Sequence, residues 1–238
     1  TTVYVGIDPT ADSLHIGHFF SLMMIKYFQD AGHKVVVLIG GATALVGDPS
    51  GRTDMRKMSS KEQVNHNLEE VKKIVEKFLN TSENNGLIVN NADWFKGYDY
   101  VDFMRDIGTH FNVNVMLASD AYKRRLQEGG LTFLEMGYML MQAYDFVHLN
   151  EKYGCNLQIG GSDQWGNMTA GCELARKMNA QNGTNIDLEA LTCPLLTNSD
   201  GQKMGKTAKG ALWVAKDKTS VYDFYQYWYN VSDNDVEQ

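Results

Sequence analysis

Proline is scarce, three in 238 residues, and no stretch is rich in Pro or in Gly and Ser. No linker or low-complexity segment therefore divides the chain, and no internal repeat is found. Cysteine is equally rare. Cys155, Cys172 and Cys193 are odd in number and widely spaced, which argues against both a zinc ribbon and a disulfide framework. A reducing compartment fits best, cytoplasmic or an organellar matrix. No apolar run approaches ~18 residues, so no membrane-spanning helix is expected. Positive charge is in deficit: 22 Lys and Arg against 29 Asp and Glu leave a net charge of -7. Neutralising phosphates needs clustered cations, so a broad nucleic-acid surface is not expected, although a local basic patch is compatible. The chain opens in mid-pattern with TTVYVGID and no Met, so both ends are expected to be those of a trimmed piece.

What is present reads as an α/β domain. The β-branched alternation of Val3 to Ile7 predicts a strand. Asp12 and Ser13 are expected to cap a helix from Leu14 to Ala31, with Gly32 as its stop. The run KVVVLI (Lys34 to Ile39) suits a buried parallel strand, and Lys61 to Leu79 an amphipathic helix. Leu87 to Val89 is a third strand. From about Trp94 to Tyr153 the pattern is helical, with one long helix over Leu131 to Leu149. Strand (Leu157 to Ile159), helix (Asp163 to Met178) and strand (Leu191 to Leu196) follow, then an aromatic-rich helix over Ser220 to Tyr229. The expected fold is a doubly wound parallel, Rossmann-like sheet with a helical connective insertion. Residues 1–93 and 154–215 would form its two halves, 94–153 the insertion, and 216–238 the start of a truncated helical domain.

Four constellations carry candidate chemistry. Asp8-Pro-Thr-Ala-Asp-Ser-Leu-His-Ile-Gly-His18 joins the first strand to the first helix, where an open α/β sheet binds its ligand. A helix N-terminus suits phosphate; Thr10 adds a hydroxyl, and His15 and His18 add imidazoles on one face. Gly17, lacking a side chain, would admit a flat base. Taken alone, two histidines at this spacing read equally as surface or metal residues, but no further ligands have zinc spacing, and no metal site is expected. Asp200-Gly-Gln-Lys-Met-Gly-Lys-Thr207 places Lys203 and Lys206 on a loop able to reach a triphosphate, or forms a solvated turn. It is not a Walker loop, since only three residues separate Gly201 from Gly205. Lys57-Met-Ser-Ser60 imitates a lysine loop but reads as a helix-capping segment. Gly160-Gly-Ser-Asp-Gln164 sits at a strand end, with Asp163 placed to accept from ribose. Tyr138, Gln142 and Asp145 share one face of an apolar helix; a buried Asp there either pairs internally or meets a polar ligand.

Together these segments resemble class I aminoacyl-tRNA synthetases, with HIGH and KMGKT as their two signatures. DPTADSLHIGH, GDPSG, QAYDF and GSDQWGN are similar to the bacterial or organellar tyrosyl-tRNA synthetases over essentially the whole chain. The resemblance implies activation of L-tyrosine by ATP with Mg²⁺, without a prosthetic group, and transfer to tRNA(Tyr). It implies that Tyr4 and Asp145 bind the phenol hydroxyl, and that Asp48, Tyr138 and Gln142 hold the ammonium. Asp8, Asn91 and Gln164 would surround the substrate, with Gly6, Gly17, Gly161 and Asp163 toward ATP and its ribose. Thr10 and His15 would meet the γ-phosphate, with His18 toward the adenosine. Arg52, Arg56, Lys203, Lys206 and Thr207 would grip pyrophosphate from two loops. Many members carry Cys where Val5 stands, so one ribose contact is expected to be lost. The insertion resembles the segment through which these enzymes form homodimers. Members continue past Gln238 into helical and RNA-binding domains, so this stretch is expected to form tyrosyl-adenylate but to charge tRNA poorly. Rival readings are a tryptophanyl-tRNA synthetase, a non-catalytic paralogue and a nucleotide-binding regulatory domain.

Overall fold

The structure is a computed structural model that describes residues 1–50, 58–81, 85–197, 201, 204, 206–207 and 210–236, with the side chains of 121, 124, 128, 206 and 207 set aside. The first half runs β1 (Thr2–Ile7), α1 (Ile16–Asp30), β2 (Lys34–Ile39), α2 (Thr43–Val46), α3 (Lys61–Phe78) and β3 (Gly86–Asn90). Helices then fill the chain: α4 (Ala92–Phe95), α5 (Tyr100–Asp106), α6 (Val113–Ala118), α7 (Asp120–Glu128) and α8 (Phe133–Tyr153). The sheet resumes with β4 (Leu157–Gly161), α9 (Trp165–Asn182) and β5 (Glu189–Cys193). A small hairpin, β6 (Lys206–Thr207) and β7 (Gly210–Ala211), precedes α10 (Val221–Tyr229) and α11 (Asp233–Val236).

The five main strands lie in the order β3-β2-β1-β4-β5 and all pair in parallel. The chain moves outward from β1 to β3 and returns to the other side of β1 as β4, so the switch point lies between β1 and β4. That is where such sheets hold ligands. Alternation along β1 and β2 sends Val3, Val5, Ile7, Val35, Val37 and Ile39 into one core with α1 and α3. Tyr4, Val36 and Leu38 go to the opposite face, against Phe146 and Val147 of α8 and Leu174 of α9. This period-two division brings Tyr4 and the long helix α8 together.

Several expected boundaries move. The cap of α1 is His15, not Asp12 or Ser13, and the helix begins at Ile16 rather than Leu14. Residues 14–16 are drawn into extended pairing with residues 212–214: His15 bridges Trp213, Val214 N–H donates to Leu14 O at 2.8 Å, and Ile16 N–H donates to Leu212 O at 3.2 Å. β5 stops at Cys193 instead of reaching Leu196, because Pro194 has no N–H for the ladder. The long helix runs later than expected, from a Thr132–Glu135 capping box to Gly154 in the left-handed region (φ 67°). Ser60 does cap α3, accepting from Gln63 N–H.

Candidate active site

A cavity of about 540 Å³ opens above the carboxyl ends of β1 and β4. Its wall includes Tyr4, Gly6, Asp8, Thr10, His15, Gly17, His18, Asp48, Tyr138, Gln142, Asp145, Gly161, Asp163 and Gln164. These come from β1 and the turn after it, the start of α1, the loop after α2, α8, and the β4–α9 junction. Met204, within the second lysine signature, and Ala211, shortly after it, line the same cavity.

One end is closed and polar. Tyr4 is 1% exposed and Asp145 2%. The Tyr4 ring stands edge-on to Phe146 at 5.0 Å, and its hydroxyl has no hydrogen-bond partner among the described residues. Burial first, and then the Asp145 charge, holds that phenol well above its ordinary pKa, so it stays a neutral donor. Asp145 accepts from Trp94 Nε1 at 2.8 Å and from Asn91 Nδ2 at 3.1 Å. Burial pushes its carboxyl up to about 8, against the pull of those two bonds. A buried hydroxyl without a partner beside a carboxyl that can donate or accept suits a ligand bearing a hydroxyl of its own.

The middle holds two further carboxylates. Asp8 accepts from Thr43 Oγ1 at 2.7 Å and from Tyr138 Oη at 2.9 Å. Burial, then the charges of Asp8 and Asp48, raises the Tyr138 phenol well above its usual range. Asp48 accepts from Gln164 Nε2 at 2.7 Å, Ser50 N–H at 2.8 Å and Asn167 Nδ2 at 3.4 Å. Fixed carboxylates with hydroxyl and amide neighbours suit an ammonium group. Tyr138, expected beside Asp48, is thus hydrogen-bonded to Asp8.

The open end carries the histidines. The His15 Nδ1 accepts from Gly17 N–H at 3.1 Å, which leaves Nε2–H as the donor in the neutral ring. The His15 and His18 rings stack at 3.9 Å. A Cβ on Gly17 would lie 2.9 Å from His15 Cε1, so glycine is required for this ring position. The hairpin of the second signature joins here: Lys206 pairs with Ala211 in β6–β7, and the next residue, Leu212, receives the Ile16 N–H.

Asn91 is fully buried and lies behind the wall, bonded to Asp145, to Thr43 Oγ1 (3.0 Å) and to Ala42 N–H (2.8 Å). Sequence reasoning missed Thr43, Ser50, Trp94, Gln158 and Asn167. Trp94 could have been found as the sole indole one turn beyond Asn91, and Gln158 as the lone polar residue in an apolar strand. Arg52, Arg56 and Lys203 lie outside the described residues, and only the backbone of Lys206 and Thr207 is described.

Comparisons with known proteins identify the family. The profile of the class I tRNA synthetases (W and Y) matches residues 1–238. A tyrosine–tRNA ligase of Clostridium botulinum is 58% identical over 237 residues, and one of Fusobacterium nucleatum 54%. The chain spans 57% of the length of those relatives. Among solved structures, a C-terminally truncated mitochondrial tyrosyl-tRNA synthetase of Aspergillus nidulans is similar at a TM-score of 0.83 and 30% identity, covering 99% of this chain and 69% of that one. A tryptophanyl-tRNA synthetase of Campylobacter jejuni, at a TM-score of 0.71 and 15% identity over 98% of this chain and 67% of that one, shares the fold. With the profile matching from the first residue to the last, the chain belongs to the class I tRNA synthetases of the W and Y family.

Proposed function

We propose that the chain is the catalytic part of a tyrosine–tRNA ligase, which joins L-tyrosine to ATP as tyrosyl-adenylate and then serves tRNA(Tyr). One observation carries this reading: the cavity runs from Asp145 and the Tyr4 hydroxyl, which has no hydrogen-bond partner among the described residues, to the His15–His18 pair. Its lining suits an aromatic alcohol at the buried end and phosphates at the histidine end. The tyrosine carboxylate attacks the α-phosphorus and pyrophosphate leaves, so no protein nucleophile is needed. The protein positions the reactants and stabilises developing phosphate charge. His15 Nε2–H and Thr10 serve that end, together with Lys203, Lys206, Thr207, Arg52 and Arg56. Asp48, Asp8, Gln142 and Gln164 hold the amino acid, while Gly6, Gly161 and Asp163 face the nucleotide. Mg²⁺ travels on the phosphates, held by them and by water.

The tryptophan reading shares fold and signatures. Tyrosine is favoured because the buried Tyr4–Asp145 end presents a donor and a carboxyl, which an indole would leave poorly satisfied. A homodimer through the insertion is supported by apolar side chains left in solvent there, Val115 at 70% and Phe133 at 68% exposed. Catalysis in the cytoplasm or an organellar matrix accords with three free cysteines. The deciding experiment is amino-acid-dependent ATP–pyrophosphate exchange: strong exchange with tyrosine and little with tryptophan or phenylalanine is expected. Exchange driven by tryptophan would reverse the substrate, and exchange with neither would leave a non-catalytic paralogue.

A further inference from the structure

The segment after β7 has no part in the reaction as proposed, yet it is stitched to the first signature along residues 212–219. Leu212 O and Val214 N–H bond Ile16 and Leu14, and Ala215 N–H donates to Ser13 Oγ at 3.2 Å. Trp213 N–H donates to Thr219 Oγ1 at 2.9 Å, which folds the segment back on itself. Lys218 then lies 5.8 Å from the Trp213 ring centroid and 2.7 Å from Asp12 Oδ1. The Asp12 carboxyl is held below its ordinary range, first by that Lys218 hydrogen bond. Trp213 itself sits opposite His15 in the bridge, with ring centroids 6.3 Å apart and planes tilted by 55°. That is within the range of favourable aromatic pairs.

The His15 ring is therefore bounded by Gly17 below, His18 in a stack, and Trp213 at an angle. We infer that Trp213 is a positioning residue, which fixes the His15 imidazole in the orientation that turns Nε2–H to the triphosphate. This rests on the tyrosine-activating reading. The same short stretch that starts at Lys206 ends by setting His15. The described residues 210–218 thus run directly from the β6–β7 hairpin to the first signature. An imidazole allowed to swing away loses its contact only when phosphate charge develops, so the cost should fall on kcat.

The test uses the parent protein, Trp213→Ala, Trp213→Phe, His15→Ala and the His15→Ala/Trp213→Ala double variant. Tyrosine-dependent exchange gives kcat, and equilibrium dialysis without ATP gives tyrosine affinity. Trp213→Ala should lower kcat about tenfold or more with tyrosine affinity held within about twofold, and Trp213→Phe should recover most of the loss. In the His15→Ala background the Trp213 change should add nothing, because it acts through that ring. Losses that multiply, or that fall equally on kcat and tyrosine affinity, overturn the inference. A second readout needs no catalysis: ¹⁵N shifts of His15 should report the Nε2–H tautomer in the parent and an average of tautomers in Trp213→Ala. An unchanged tautomer overturns the inference even in a protein that activates no amino acid. A changed tautomer without exchange by the parent sinks only the reading it rests on.

Discussion

Tyr138 donates its hydroxyl to Asp8 at 2.9 Å, joining α8 to the turn after β1 across 130 positions of sequence. Thr43 holds the other oxygen of the same carboxylate. Asp8 is thereby fixed between two donors, and the cavity floor is braced from the insertion side. Tyr138→Phe removes one donor and leaves shape nearly intact. A hydrogen bond to a charged group contributes about 1.5–3 kcal/mol, so tyrosine should bind roughly 10- to 150-fold more weakly. Equilibrium dialysis measures this directly, and an unchanged Kd would show that the bond spans only the empty site.

The same bond shows what the sequence could and could not disclose. Tyr138, Gln142 and Asp145 were legible as a site because polar residues at offsets of four and three share a helix face within an apolar run. Their partners were not. Asp8 and Asp48 are equally plausible acceptors for Tyr138 until three-dimensional packing chooses. The start of α1 was misplaced for a related reason. Local capping rules favour Asp12 and Ser13, but residues 14–16 are held extended by a segment some 200 positions away. The parallel strands were legible because burial on both faces leaves continuous β-branched runs. The two-residue strands β6 and β7 have no such pattern, and Asn91 gave no sign that it lies behind the wall instead of in it.

Asp145 makes stability depend on pH. Its carboxyl is raised to about 8 in the folded protein from an ordinary 3.8. Between those values the folded state retains a proton that the unfolded chain has released, so stability falls as pH rises through this window. Urea unfolding of the ligand-free protein from pH 4 to pH 8 should show a midpoint that declines, and Asp145→Asn should flatten the decline. A parallel slope in that variant would assign the dependence to other groups.

Trp94 stands behind Asp145 and outside the cavity lining, yet it donates to Asp145 Oδ1 at 2.8 Å. Trp94→Phe leaves that oxygen buried and short of one donor, at a cost of about 1–3 kcal/mol. The carboxyl should titrate still higher, and the preference for tyrosine over phenylalanine should drop, since the group reading the hydroxyl is no longer held in place. The ratio of kcat/KM for the two amino acids in ATP–pyrophosphate exchange is the measurement. A ratio equal to that of the parent would leave Asn91 as the sufficient support.

Gly40 supplies a test of the Asp8–Thr43 pair. A Cβ there would lie 2.1 Å from Asp8 Oδ1 and 2.2 Å from Thr43 Oγ1, so Gly40→Ala must push the Asp8–Thr43 pair apart. Overpacking of this kind costs about 1–3 kcal/mol. Tm should fall, and tyrosine affinity should fall with it, because the displaced carboxylate is the one Tyr138 braces. Gly6→Ala, one residue before the end of β1, meets nothing within 4 Å among the described residues and should leave Tm unchanged.

The insertion carries its own buried charge. Arg125 Nε and Glu135 Oε1 lie 2.9 Å apart, with side chains only 5% and 2% exposed. Glu135 also accepts from Thr132 N–H at 3.0 Å and Thr132 Oγ1 at 2.8 Å, closing the capping box that starts α8. Removing either side chain breaks a buried ion pair, which costs about 3–5 kcal/mol. Glu135→Ala should therefore be the most destabilising of the changes named here, through both the ion pair and the cap. Arg125→Met with Glu135→Leu removes both charges and should recover much of that loss. If denaturant unfolding gave the double variant the same low stability as Glu135→Ala, the cost would belong to the capping box and not to the broken ion pair.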